Sequence, residues 1–413
     1  PEVERLSMVC DMLVDTEGQV RAYQFYPAVI RSHARLTYTD VAAVLANTRG
    51  PEAKARAELV PHLLHLHEVY RALLKQRAVR GAVDFETTET QIICDENGRI
   101  EKIVPRTRNE AHKLIEEAML AANVCSADFI AQSKHPGLFR VHEGPTPEKK
   151  DTLRNYLKAI GVGLTISEDP LPGEFQAIAA ATKDRPDAQQ IHSMLLRSMS
   201  QAIYTPINSG HFGLAYEAYT HFTSPIRRYA DLVVHRALQP LLENAPKSHD
   251  KTPSHAELRE ISRHISDTER TSSDAENETK QIKLLEYLDR VANAEQPPTF
   301  DGLITDVRPM GLMVEIADMG VRGVVKREDL PDGRWRFEAH RMAWVSTDGK
   351  VIQLGMRIPL RVKAIDFEKR FVDFIIAGKP TSEGTHVEGK RPAIVKKAGK
   401  PHTKPAAQVG PVT

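Results

Sequence analysis

The chain has 413 residues, a formal net charge of +1, 41% hydrophobic and 27% charged side chains. These values exclude wholesale disorder and a uniformly basic nucleic-acid coat; at roughly 100–200 residues per domain they give two or three domains with sizeable cores. No run of about 18 apolar residues exists, so no membrane-spanning helix and no membrane partner are expected. Pro1-Glu2-Val3-Glu4-Arg5 lacks the pattern of a secretory signal. Cys10, Cys94 and Cys125 form no CxxC pair and read as buried thiols of a reducing compartment, with a cytoplasmic location. The chain has no initiator Met, and we expect it to be a piece of a longer protein.

Leu6 to Leu13 and Val20 to Tyr26 read as a hairpin around Asp15-Thr16-Glu17-Gly18. Thr37 caps a short helix, with Asp40 three residues on. A long helix is expected from about Glu52 to Val79; it carries His62, His65 and His67, which lack the HExxH arrangement of a metal site. Val83 to Glu86, Gln91 to Cys94 and Ile100 to Val104 read as strands, the last two joined at Glu96-Asn97-Gly98. Asn109 to Ala131 is an amphipathic helix whose stripe runs through Ala111, Leu114, Ile115, Ala118, Ala122, Cys125 and Phe129. At about 100° per residue, Glu117 borders that stripe and Glu116 points away. Glu117 is therefore the candidate working carboxylate; a solvated acid pair is the competing reading.

Ala188 to Ser200 is another helix, and Ile207 to Gly213 a loop whose glycines permit close backbone approach. Ser254 and Glu257 form a capping box for a long helix with a polar middle. Gln296-Pro297-Pro298 marks a boundary. Beyond it, residues 302–304, 311–316, 321–325, 357–365 and 370–376 give five short strands, the pattern of a small OB-type barrel. Trp335, Phe337 and Trp344, interleaved with Arg334, Arg336 and Arg341, are either a stacking platform for single-stranded nucleic acid or core aromatics among solvated arginines. From Lys379 onward, seven Lys or Arg stand against two Glu in a Pro- and Gly-rich stretch. That tail is expected to be disordered, serving as a phosphate-attracting tether or as a solubilising end.

Residues His221 to Arg236 carry the chemistry. Ser224-Pro225 is a helix-start signal, and Arg227 and Arg228 follow in the first turn. Cations there oppose the helix dipole by about 0.3–1 kcal/mol each, which calls for a compensating anion. A bound phosphate is one candidate and the carboxylate of Asp231 the other. Helix-face arithmetic buries Ile226, Ala230, Val233, Val234, Ala237 and Leu241. It puts Arg227 at the border with Asp231 and His235 and turns Arg228 toward solvent. Arg227, oriented by Asp231, is thus the expected anion-binding group.

The segment from His221 to Arg236 resembles the signature of the ribonuclease II (RNB) family of exoribonucleases. Residues Leu195 to Ala202, Gly210 to Ala215, Ala34 to Tyr38 and Leu114 to Asn123 look like its ribonuclease R branch. The resemblance implies processive 3′-to-5′ hydrolysis of single-stranded RNA to nucleoside 5′-monophosphates, dependent on Mg2+. It implies that Arg227 stabilises charge on the scissile phosphate and that Tyr38 stacks near the 3′-terminal base. Glu117 would accept a hydrogen bond from a ribose 2′-hydroxyl, and Phe85 would be the far stacking clamp. His221, Ser224 and Arg228 would line the substrate path, with Asp231 and His235 in support.

The implied architecture is α+β. A partial RNB-type catalytic domain (1–242) is followed by a helical segment closing it (243–296), an S1-type OB barrel (299–378) and a disordered basic tail (379–413). Two departures stand out. The family's closely spaced metal-binding aspartates have no counterpart here, since Asp11 and Asp15 do not match them. Their ligands are expected upstream, and the chain alone is expected to be inactive. The rival expectation is a catalytically silent RNA-binding protein of the same fold. Met310 and Met313 also stand where relatives commonly carry aromatics.

Overall fold

The structure, a computed structural model, describes all residues except 84–88, 107, 186, 243–252, 317–318 and 378–413. The expected Phe85 clamp and the basic tail therefore lie outside the described residues, as does the start of the 243–296 segment.

Strands β1 (Glu4–Val14) and β2 (Val20–Arg31) form an antiparallel hairpin with Cys10 opposite Phe25. The turn at Gly18 adopts φ +79°, and a Cβ there would sit 2.0 Å from the Ala72 carbonyl oxygen. Only glycine lets this turn lie against the helix behind it. Helix α1 (Tyr38–Ala46) starts as expected, the Thr37 side chain accepting from the Asp40 N–H. The anticipated 52–79 helix is instead broken: α2 (Pro51–Ala55), a single 3₁₀ turn, then α3 (Val60–Arg80). Pro61 explains the break, because its ring fits only the first turn of a helix.

Next come the hairpin β3 (Glu89–Cys94) and β4 (Ile100–Arg106), then α4 (Glu110–Ser133) and β5 (Phe139–Val141). Helices α5 (Pro147–Ala159), α6 (Pro172–Thr182) and α7 (Ala188–Ser198) follow, and then β6 (Ile203–Thr205), which pairs with β5. Helix α8 (Tyr229–Leu238) packs on α4, and α9 (His255–Ala292) runs for 38 residues from its Ser254–Glu257 capping box.

Three apolar cores result. One lies beneath the hairpin and joins Phe25, Cys125, Ile130, Phe222, Val234 and Leu258. A second holds α5, α6 and α7 together around Leu153, Phe175 and Leu195. The third fills a closed barrel of β7 (Phe300–Arg308), β8 (Gly311–Ile316), β9 (Val321–Lys326), β13 (Arg357–Asp366) and β14 (Phe371–Ile376). All five barrel strands fall where the sequence reading put them, to within four residues at their ends. Inserted between β9 and β13 is a small sheet of β10 (Trp335–Glu338), β11 (Ala343–Ser346) and β12 (Val351–Gln353). Each fully buried side chain of this kind contributes about 1.5–3 kcal/mol. Leu285 and Leu288 of α9 belong to the barrel core and Leu258 and Ile265 to the first core, so one helix ties the two together. Its middle, from Arg270 to Gln281, is exposed on every side.

Trp344 is 2% exposed and donates its indole N–H to the Arg308 carbonyl at 3.2 Å, which decides at that position for the core aromatic over the stacking platform. Two expectations need correction. Cys94 is exposed, while Cys10 and Cys125 share a core and their thiols touch; that contact and burial raise the Cys10 pKa. Ile115 is exposed, because the α4 stripe is centred on Leu114 and Glu117.

Candidate active site

The signature segment is not a helix from its first residue. Ser224 to Arg228 form a turn, closed by the Arg227 and Arg228 N–H groups donating to the Ser224 carbonyl at 3.2 and 3.0 Å; α8 begins at Tyr229. Ser224 therefore caps no helix, and Ile226, expected in the buried stripe, is 99% exposed at the tip of the turn.

The cause is Asp231, which is completely buried. Its Oδ1 accepts from the Ser224 N–H at 2.7 Å and from Arg228 Nη2 at 2.9 Å, and its Oδ2 accepts from Arg228 Nε at 2.8 Å. One carboxylate thus holds both ends of the turn, and the fork on Arg228 is the strong bidentate arrangement. The assignments of the two arginines are reversed from the helix-face expectation: Arg228 satisfies Asp231, and Arg227 is exposed with no ion pair among the described residues. An i,i+4 contact between Arg227 and Asp231 requires helical backbone at 227, which the turn does not supply.

Arg227 and Arg228 line a cleft of about 1310 Å³ between this turn and α9, together with Tyr204, Tyr229, His264 and Glu269. Its volume exceeds that of ordinary small-molecule pockets, about 300–1,000 Å³. Behind it, Arg140 grips Glu269 with two hydrogen bonds at 2.6 and 3.0 Å and lies over the Tyr204 ring.

Tyr38 and Glu117 are not part of the cleft wall. Tyr38, at the first position of α1, is 46% exposed and stacks on His112 with ring centres 4.0 Å apart. Glu117 is 4% exposed, and its Oε1 accepts from Arg77 Nη1 at 2.6 Å; the solvated-pair reading is excluded. Glu116, the outer acid, pairs with Arg108 and approaches Arg77 at 3.4 Å. A carboxylate offers about four lone-pair sites, so Arg77 leaves Glu117 capacity to accept another donor.

A buried polar ladder runs from α4 to Tyr204 at the cleft wall. From α4, Asn123 donates to the Tyr219 hydroxyl at 2.9 Å and accepts the Phe222 N–H at 2.9 Å. His221 meets the Tyr219 ring edge and is hydrogen-bonded through Nδ1 to the Tyr204 hydroxyl at 2.7 Å. His221 is thus a strut of the floor rather than an exposed ligand. His235 stacks on Phe222 and donates from Nε2 to the Phe222 carbonyl at 2.8 Å, which fixes the strand entering the turn. Arg77, Asn123, Tyr204 and Tyr219 were missed from the sequence. Only Asn123, a polar residue inside an apolar stripe, gave a local signal.

Burial keeps this histidine cluster neutral, pushing His221 down to about 2 and His211 down to about 3. The neutral forms are locked by donors: the Gly213 N–H to His142 Nδ1 and the Leu214 N–H to His211 Nδ1. Unfolding restores an ordinary pKa near 6.5, so below that pH the unfolded chain binds more protons. Stability should therefore be full above pH 6.5 and fall steadily as pH drops toward 3, with a urea midpoint lower at pH 5 than at pH 7. Equal midpoints would mean that these histidines are accessible to protons in the fold.

The resemblance implies a magnesium ion, but the residues here do not fit one. Among the described residues no group of three His, Cys, Asp or Glu side chains could hold a metal ion, the His62, His65 and His67 set included.

With this geometry in hand, comparison with known proteins places the chain. The RNB domain profile matches residues 1–244, and the chain belongs to that family. Ribonuclease R of Escherichia coli (strain K12) is 38% identical over 415 residues, covering 97% of this chain and 50% of that protein. Mycoplasma genitalium RNase R, solved in complex with ribose methylated single-stranded RNA, superposes with a TM-score of 0.81 at 25% identity, covering 91% of this chain and 58% of that one. Yeast Ssd1, a pseudonuclease, shares the fold with a TM-score of 0.64 at 18% identity over 83% of this chain and 42% of that one. The chain spans about half the length of the curated relatives it matches.

Proposed function

We propose that this chain is part of a ribonuclease R-like 3′-to-5′ exoribonuclease that takes single-stranded RNA by its 3′ end and releases nucleoside 5′-monophosphates. The observation that carries the reading is the contrast between two neighbouring arginines. Arg228 is consumed by Asp231, whereas Arg227 is exposed, has no ion pair among the described residues and lines a cleft of about 1310 Å³. A guanidinium carried on a turn whose backbone is anchored is suited to the charge that builds on the oxygens of a phosphate under attack. Arg228 and Ser224 act through the turn, Ser224 by its backbone; Tyr38 stacks the 3′-terminal base, and Glu117, held by Arg77, accepts the ribose 2′-hydroxyl. Phe85 would complete the clamp, and the barrel, read as an OB-type S1 module, would hold RNA further from the end. The basic tail would add attraction for phosphates.

RNA binding by Mycoplasma genitalium RNase R supports the substrate class. A second reading, an RNA-binding protein without catalysis, draws on the absence of a metal-ligand group among the described residues and on the pseudonuclease that shares the fold. One assay separates them. Incubated with 5′-labelled single-stranded RNA, the protein carrying this chain should shorten it from the 3′ end and release 5′-monophosphates; RNA bound but left at full length would establish the second reading. In the same assay Glu117→Gln should lower the preference for RNA over DNA of equal sequence about tenfold, the scale of one charge-assisted hydrogen bond. An unchanged ratio would remove Glu117 from ribose recognition.

A further inference from the structure

Resting on the reading of Tyr38 just given, we propose that His112 is a positioning residue for the terminal base. It backs one face of the Tyr38 ring and leaves the other as a platform for a single base.

Three observations converge on this pair. The two rings are stacked at 4.0 Å with only a 20° tilt, a parallel arrangement that an exposed tyrosine needs a fixed partner to hold. The imidazole is itself fixed: its Nδ1 lies 2.7 Å from Asn109 Oδ1, within the box that starts α4. Asn109 also reaches back across the helix pair, donating from Nδ2 to the Tyr38 carbonyl at 3.3 Å. The start of α4 thus grips Tyr38 by both its backbone and its ring, while 46% of that residue stays open to solvent.

The consequence is stereochemical. With His112 on one face, a base can add to Tyr38 only from the opposite face, so the platform takes one base. A tyrosine without backing would sample several rotamers and lose that freedom on binding; the backed ring has lost it already.

The test uses an oligoribonucleotide carrying 2-aminopurine at its 3′ terminus, whose fluorescence falls when the base stacks. It is bound at equilibrium to the protein carrying this chain, with EDTA present to prevent shortening. His112→Ala should weaken binding about three- to tenfold and restore most of the terminal fluorescence. His112→Phe, which keeps a flat backing ring but cannot bond to Asn109, should retain both within about twofold. Tyr38→Ala should lose both. Quenching that survives His112→Ala but not Tyr38→Ala would overturn the role of His112 and leave that of Tyr38. Equal loss in His112→Ala and His112→Phe would also overturn it, since the box with Asn109 would then be all that matters. Quenching that survives Tyr38→Ala, or is absent from the unsubstituted protein, would overturn the reading of Tyr38 and this inference with it.

Discussion

Replacing Arg227 with alanine in the protein that carries this chain should lower turnover about 10²–10³-fold while changing RNA affinity by less than about threefold. The asymmetry follows from where the guanidinium stands. It has no intramolecular partner among the described residues to lose, so the fold is unaffected. Ground-state attraction to RNA is spread over many phosphates, so one cation fewer matters little. What disappears, on the function proposed above, is the donor that meets the charge growing on the phosphate oxygens. Lysine should not rescue it, because a point charge lacks the planar fork that matches phosphate oxygens. Turnover within about threefold of the unsubstituted protein would remove Arg227 from the chemistry.

The second large effect concerns stability. Asp231→Asn keeps an acceptor for the Ser224 N–H but removes the charge opposite Arg228. Breaking a buried ion pair from one side strands the remaining charge and costs about 3–5 kcal/mol. Arg228 retains some access to solvent, with about a quarter of its side chain exposed, so the lower end of that range is expected. Chemical denaturation should show the loss directly. Turnover should fall as well, because the turn that presents Arg227 is anchored at both ends on this one carboxylate. A destabilisation below about 1 kcal/mol would show that the turn is held by something other than Asp231.

Much of the architecture was legible in the sequence because local patterns and long-range packing agree there. The barrel strands are short and regularly spaced, Thr37 and Ser254 cap helices in the ordinary way, and the hairpin needs only its turn. The turn at 224–228 was not legible. Ser-Pro followed by four apolar or basic residues is as compatible with a tight turn as with a helix start, and the choice rests on a carboxylate seven residues away. One local error then reversed the roles of two adjacent arginines and put Ile226 in a core it does not reach. Glu117 was legible in part. Helix-face arithmetic found its position on α4, but its partner Arg77 comes from a helix forty residues earlier, and no spacing rule links them. Periodicity and the family resemblance both singled out Arg227 as the anion-binding group; what periodicity misplaced is the partner of Asp231, which is Arg228.

The most direct test is a crystal structure of the protein carrying this chain with a short single-stranded oligoribonucleotide whose 3′-terminal linkage resists hydrolysis. The account predicts a backbone phosphate within hydrogen-bond distance of the Arg227 guanidinium, with Arg228 still forked onto Asp231. A strand that bypasses the cleft, or a phosphate bound to Arg228 with Asp231 released, would contradict it.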